Sequence, residues 1–274
     1  MIDKIGLMQG RLTKPYKEVI QSFPWDNWEQ EILIARENRF KFIEWTIDDY
    51  NFFENPLISN PSHVRKILTK NNVTVKTVTA DFVMQKPLHH LKNNELENEI
   101  QKFILFLSKL KIVGIKYIIY PLVDNGSVKN KFEEIYFFDI LKNFFYALKE
   151  LNIMILFESD YAPKNLKKFM SKLPDSQFGI NYDTGNSASL GYEINEEFSC
   201  YSKRIKNIHI KDRKFKGTTV PLGEGDVDFK LLFRLVKNYH YNKLFILQSA
   251  RKKKGNELQT LNQYRNFILK KMEI

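Results

Sequence analysis

Runs rich in β-branched residues alternate with amphipathic stretches along this chain, and no other feature limits its folds as much. Val73-Thr74-Val75-Lys76-Thr77-Val78-Thr79 reads as a strand on its β-branched content. Comparable runs fall at 4–10, 40–45, 115–120 and 153–158, up to Asp183, and at 205–210 and 244–248. Helical signals lie between them. Asp26 with Glu29 three residues on predicts a capped helix from about Trp25 to Asn38. Pro61 opens another. Leu96, Ile100, Phe103, Ile104, Leu107 and Leu110 share one helical face, and Gly114 stands where that helix ends. Phe138, Leu141, Phe145 and Leu148 mark the next, with further helices expected at 164–173, 196–203, 229–238 and 257–271. Pro121 is expected to stop the fourth strand. Parallel strands need such crossovers. Eight strand–helix units in 274 residues predict an α/β fold, one (β/α)8 barrel spanning 1–274, with no second domain.

Composition bounds the function. Hydrophobic residues make up 43%, enough for a large core, yet no apolar run is long enough to cross a membrane. The N-terminus lacks the pattern of a signal peptide, so a cytoplasmic protein is expected. Cys200 is the one cysteine, which excludes a disulfide framework or a cysteine-based zinc site. The net charge of +11 comes from lysines scattered along the whole length, so nucleic acid is not the expected partner.

In a barrel of this kind chemistry gathers at the C-terminal ends of the strands. Strand five ends in Glu158, strand six in Asp183 and strand eight in Gln248; strand seven carries His209, with Asp212 three residues on. Carboxylate, imidazole and amide oxygen together suit a hard or borderline divalent ion: Mn2+, Mg2+, Zn2+ or Co2+. Asp183 alone reads equally as a cap for the next helix. Gln9 lies near the end of strand one with Arg11 just beyond it, Glu44 is near the end of strand two, and Arg251 follows strand eight; with Lys211 they are the candidate substrate contacts. Barrels place phosphate sites near the last loops, which favours an anionic sugar at Arg251, while Lys252–Lys254 also read as a solvated run. Gly223-Glu224-Gly225-Asp226 is a weak phosphate signal. Trp25, Trp28 and Trp45 are expected to pack in the core or an interface.

Four motifs carry a resemblance: Phe157-Glu158-Ser159, Tyr182-Asp183-Thr184-Gly185-Asn186, Ile208-His209-Ile210-Lys211-Asp212 and Gly223-Glu224-Gly225-Asp226-Val227-Asp228-Phe229. With these the whole chain resembles the xylose isomerase-like TIM barrels. That superfamily of sugar phosphate isomerases and epimerases also holds tagatose/psicose 3-epimerase-type enzymes, hydroxypyruvate isomerases, inosose dehydratases and endonuclease IV. The resemblance implies that Glu158, Asp183 and His209 ligate one metal ion and that Glu158 is also an acid/base carboxylate. In the epimerases the eighth strand ends in a Glu that is both ligand and second base. This chain has Gln248 there, and Asn186 where they have a His. An amide does not take up and return a proton at neutral pH.

The expected activity is therefore a metal-dependent sugar or sugar phosphate isomerase or epimerase. Glu158 would move a proton through a metal-stabilised enediolate, with Asp212, Lys211 and Glu44 as candidates for a second proton-transfer group. Readings of other kinds are a metal-dependent dehydratase of a keto-sugar or inosose, an endonuclease IV-like phosphodiesterase and a non-catalytic sugar-binding homologue. The endonuclease would need three zinc ions and many His ligands, whereas only His209 of five histidines sits at a strand end. The expected partner is a small carbohydrate, with or without phosphate; a homodimer would be ordinary for such barrels by resemblance.

Overall fold

A computed structural model of the chain describes residues 4–18, 21–251 and 255–273. Lys252–Lys254 lie outside the described residues. Eight parallel strands close a barrel: Ile5–Met8, Phe42–Ile47, Thr74–Ala80, Tyr117–Leu122, Met154–Ser159, Phe178–Asp183, Ile205–Ile210 and Leu244–Leu247. They are called here the first to eighth strands. Around the ring the order is first, eighth, seventh, sixth, fifth, fourth, third, second, as the eight-unit alternation predicts. A two-residue antiparallel ribbon, Asp212–Arg213 with Thr219–Val220, stands outside the barrel.

Helices cover the strands. Helix 61–71 starts at Pro61 and is capped by the Asn60 side chain, which accepts from His63 N–H. Asn93–Val113 ends at Gly114, whose φ of 90° only glycine adopts without strain. Lys131–Leu151 is capped by Asn130, bonded to Phe132 and Glu133 N–H. Its face differs slightly from expectation: Phe137, Ile140, Leu141, Phe144 and Leu148 are buried, and Phe138 and Phe145 only partly. Phe103, Phe137, Phe144, Phe157, Phe169 and Phe178 build much of the layer between helices and sheet. Each such side chain stabilises the fold by roughly 1.5–3 kcal/mol on burial. Trp45 and the rings of Phe23, Trp25 and Trp28 pack together, as expected of core tryptophans.

Three details depart from expectation. The first helix is Trp28–Glu37; Asn27 stands at its N-cap without a side-chain bond, so Asp26 does not cap it. The fourth strand runs through Pro121 to Leu122. Its ladder with the third strand covers only residues 117–119, so the missing N–H at Pro121 falls beyond that pairing. Finally, Thr184–Leu190 is a short helix rather than a loop, and it begins at the residue after Asp183.

Candidate metal and substrate site at the barrel mouth

Register brings the site together. Asp183 pairs with His209, and His209 pairs in turn with Ile246 on the eighth strand. Glu158, Asp183 and His209 each offer a ligand atom, and these atoms lie within 4.8 Å of one another. His209 Nδ1 is 3.1 Å from Glu158 Oε2 and 3.9 Å from Asp183 Oδ2. Its Nε2 is 2.6 Å from Glu44 Oε1, and both residues are fully buried. Glu44 thus fixes the ring and holds the Nε2 proton, while Nδ1, 3.0 Å from Asn181 Nδ2, is the ring nitrogen turned toward Glu158 and Asp183.

A web of amides surrounds the ring. Asn207 Nδ2 donates to Glu44 Oε2 (3.1 Å) and to Asn181 Oδ1 (2.9 Å). Those bonds orient Asn181 so that its Nδ2 donates to Glu158 Oε2 at 2.7 Å. Thr79 Oγ1 donates to Glu44 Oε1 at 2.9 Å. Asn186 Nδ2 donates to the other Glu158 oxygen at 2.8 Å, and Arg213 Nη1 holds the Asn186 carbonyl at 2.9 Å. Asp183 caps the next helix, as one reading of the sequence has it, and turns its other oxygen toward the cluster. Its Oδ1 accepts from Asn186 N–H and caps helix 184–190, while its Oδ2 faces His209 and accepts from Lys211 Nζ at 3.0 Å. Gly185 makes room for this: a Cβ there would sit 2.7 Å from Lys211 Cγ.

Electrostatics follow from this crowding. Burial pushes the Glu158 carboxyl up, but hydrogen bonding to His209 and the charges of His209 and Lys211 outweigh it and hold the carboxyl below the ordinary range. Burial favours neutral His209, yet Glu44 and Glu158 together push it up to about 10. A cation at Nδ1 would take the place of a proton.

The mouth opens into a cavity of about 750 Å³ whose wall includes Arg11, Gln21, Asp48, Asp81, Glu158, Asn186, Lys211, Arg213, Gln248 and Arg251. Of the sequence-predicted substrate contacts, Arg11, Lys211 and Arg251 line it. Arg251 also braces the first loop, donating to Thr13 O at 2.9 Å and to Gly10 O. Gln9 and Glu44 are fully buried and absent from the wall; Gln9 Oε1 accepts from Thr46 N–H at 3.1 Å. Asp212 is not in the wall either. Its carboxylate accepts from the N–H groups of Gly223, Gly225 and Val227 at 2.8, 3.0 and 3.2 Å. The glycine motif that reads weakly as a phosphate cradle thus binds a carboxylate of its own chain. A Cβ at Gly225 would lie 1.9 Å from Asp212 Oδ1.

Gln248 sits in the cavity wall. Its Nε2 donates to Gln21 Oε1 at 3.1 Å, and its Oε1 is buried with no hydrogen-bond partner among the described residues. An orphaned acceptor in the same cavity wall as Glu158 fits a divalent cation or a substrate hydroxyl. Sequence reasoning missed Asn181, Asn207, Asp48, Asp81 and Gln21. Asn181 and Asn207 stand two residues before Asp183 and His209, on the same inward face, so the strand period itself marks them. Asp81 directly follows the third strand. Burial first, then Asp48, push its carboxyl up to about 7.

Residues 32–268 match the model of the xylose isomerase-like TIM barrel family. The chain is 24% identical over 265 residues to the Haemophilus influenzae "Putative L-ribulose-5-phosphate 3-epimerase SgbU", covering 90% of this chain and 92% of that protein. Among solved structures it superposes on the zinc-bound IOLI protein with a TM-score of 0.76 at 14% identity, covering 99% and 100% of the two chains. It also superposes on the D-psicose 3-epimerase of Clostridium cellulolyticum H10 with a TM-score of 0.74 at 11% identity, covering 98% of each. Relatives named as epimerases support an enzyme of the isomerase class. The family match spans all but the first strand and the ends of the chain, and with it the closed eight-strand barrel: this chain belongs to the xylose isomerase-like TIM barrel family.

Proposed function

We propose that this chain is a divalent-metal-dependent epimerase or isomerase of a ketose phosphate, in the class of L-ribulose 5-phosphate. The observation that carries the reading is the buried Glu158–Asp183–His209 cluster, whose Glu158 lines a cavity that also presents Arg11, Lys211, Arg213 and Arg251. Glu158, Asp183 and His209 Nδ1 would hold the ion, with the Gln248 amide oxygen as a fourth donor. When bound there, a divalent ion supplies a Lewis acid for the substrate's carbonyl oxygen. The chain's residues do the rest. Glu158, held ionised by its neighbours, removes the proton next to the carbonyl. Asn181 and Asn186 fix that carboxylate from two sides, so it is aimed before substrate arrives. The arginines suit a phosphate, which they grip through planar, multiple N–H donors. The named relative in H. influenzae supports this substrate class.

Solvent exchange tests the reading. With Mn2+, L-ribulose 5-phosphate in D2O should lose a C–H signal next to its carbonyl, and Glu158→Gln should slow that loss by about 10²–10⁴-fold. No exchange with L-ribulose 5-phosphate, L-ribulose, D-psicose or D-tagatose under any of Mn2+, Mg2+, Zn2+ and Co2+ would contradict it.

A further inference from the structure

Epimerisation needs a proton removed from one face of a carbon and another delivered to the opposite face. Gln248 does not supply the second group, because its amide carries no transferable proton at neutral pH. Asp212 does not reach the cavity, being tied to three backbone N–H groups. Glu44 lies beneath the wall, bound to His209, Thr79 and Asn207. A carboxylate does stand in the wall elsewhere.

Asp81 is 4% exposed, at the end of the third strand, and lines the same cavity as Glu158. Its Oδ2 accepts from Gln21 Nε2 at 2.8 Å, and its Oδ1 takes no hydrogen bond from a described residue. Gln21 Oε1 in turn accepts from Gln248 Nε2 at 3.1 Å. A continuous hydrogen-bonded chain, Gln248–Gln21–Asp81, therefore runs from the eighth strand's end to the third strand's end. The ring order places the fifth, sixth and seventh strands, with Glu158, Asp183 and His209, on one arc of the mouth. The Gln248–Gln21–Asp81 chain runs past the eighth, first, second and third strands and ends with only the fourth strand between Asp81 and the fifth.

We propose that Asp81 is the second proton-transfer residue, acting with Glu158 on a sugar bound in the cavity whose wall they share and taking the part that an acidic residue at position 248 would otherwise play. This rests on the epimerase reading above. In one direction Glu158 removes the C–H proton, and the bonding pair shifts into the adjacent carbonyl to leave an enediolate. The Asp81 O–H bond then breaks and its proton bonds to the same carbon from the other face. Glu158 ends protonated and Asp81 ionised, and solvent water returns the proton between turnovers. The reverse reaction exchanges the two roles. Burial and the neighbouring Asp48 support the assignment by pushing the Asp81 carboxyl up to about 7, so that it carries a proton part of the time near neutral pH.

The test separates proton removal from epimer formation. Mn2+-loaded wild type, Asp81→Asn and Asp81→Glu are given L-ribulose 5-phosphate in D2O, and NMR follows both deuterium at C3 of recovered substrate and the appearance of the epimer. Asp81→Asn should lose epimer formation by at least about 100-fold while C3 exchange stays within about tenfold of wild type. Asp81→Glu, which keeps the acid, should epimerise at least about tenfold faster than Asp81→Asn. Should Asp81→Asn not fold, Asp81→Ser gives the same readout. Epimer formation by the neutral variant within about threefold of wild type, a rise in KM alone, or equal loss of exchange and epimer formation would overturn the proposal. A wild type that exchanges and epimerises beside a neutral variant that does so equally well sinks this assignment only. A wild type without exchange on any substrate sinks it together with the epimerase reading.

Discussion

Glu44 receives the Nε2 proton of His209 at 2.6 Å, and Thr79 and Asn207 hold that carboxylate in turn. Glu44→Gln keeps the shape but loses the charge that fixes the imidazole, so affinity for Mn2+ or Zn2+ should fall about 10–100-fold in a direct titration. Unchanged affinity would show that the ring is held by packing alone. Asp81 makes a different prediction, on stability. Burial raises its folded-state pKa from 3.8 to about 7, so the chain holds that proton more tightly when folded. The stability it contributes is complete below about pH 3.8 and is lost as pH rises through about 7. Asp81→Asn should therefore be more stable than wild type at pH 8, by on the order of 1–4 kcal/mol, and the gap should close on acidification. Denaturant melts at pH 5 and pH 8 check the sign. These roles were not readable residue by residue. Glu44 lies inside the second strand and Asp81 just past the third, and only the hydrogen bonds and the cavity wall show that one lies under the cavity and the other in its wall.

Among elements, the loop after the seventh strand depends on one side chain. Asp212 collects the N–H groups of Gly223, Gly225 and Val227, while Asp228 caps helix 229–238 through Leu231 N–H. Asp212→Ala should cost about 1–3 kcal/mol, because three backbone donors on exposed and half-buried residues lose their shared acceptor, and should speed proteolysis between residues 213 and 227. Gly225→Ala should have a similar effect, since its Cβ would collide with the Asp212 carboxylate. If both variants melt like wild type, the anchor is not what holds the loop. Elements were legible where a period or a cap announced them, as at Pro61, Gly114 and helix 229–238. The second and fourth strands instead begin and end two residues later than their apolar runs suggest, because pairing with neighbours sets strand limits in a closed barrel. Helix 184–190 escaped notice because Thr184, Gly185, Asn186 and Ser187 are poor helix formers; the Asp183 cap and packing against the ribbon at 212–213 hold it in place.

For the whole molecule, alternation alone was enough to predict the barrel, because eight right-sized units in 274 residues leave few other closures. The same alternation predicts that strand-end residues share one mouth, and Glu158, Asp183 and His209 do. What alternation does not carry is the arc formed by Gln248, Gln21 and Asp81, which depends on a long first loop reaching across the opening. The net charge of +11 is spread over the surface, but four of the cationic side chains, Arg11, Lys211, Arg213 and Arg251, line the cavity. Among the described residues no helix is long and apolar enough to cross a membrane. The central claim is that one divalent ion organises this mouth. Anomalous diffraction from crystals soaked in Mn2+ or Zn2+ tests it most directly. The account predicts a single strong peak within about 2.5 Å of Glu158, Asp183 and His209 Nδ1. No peak there, or a peak only at the second cluster of potential ligands, His89, His90 and Glu133, would contradict it.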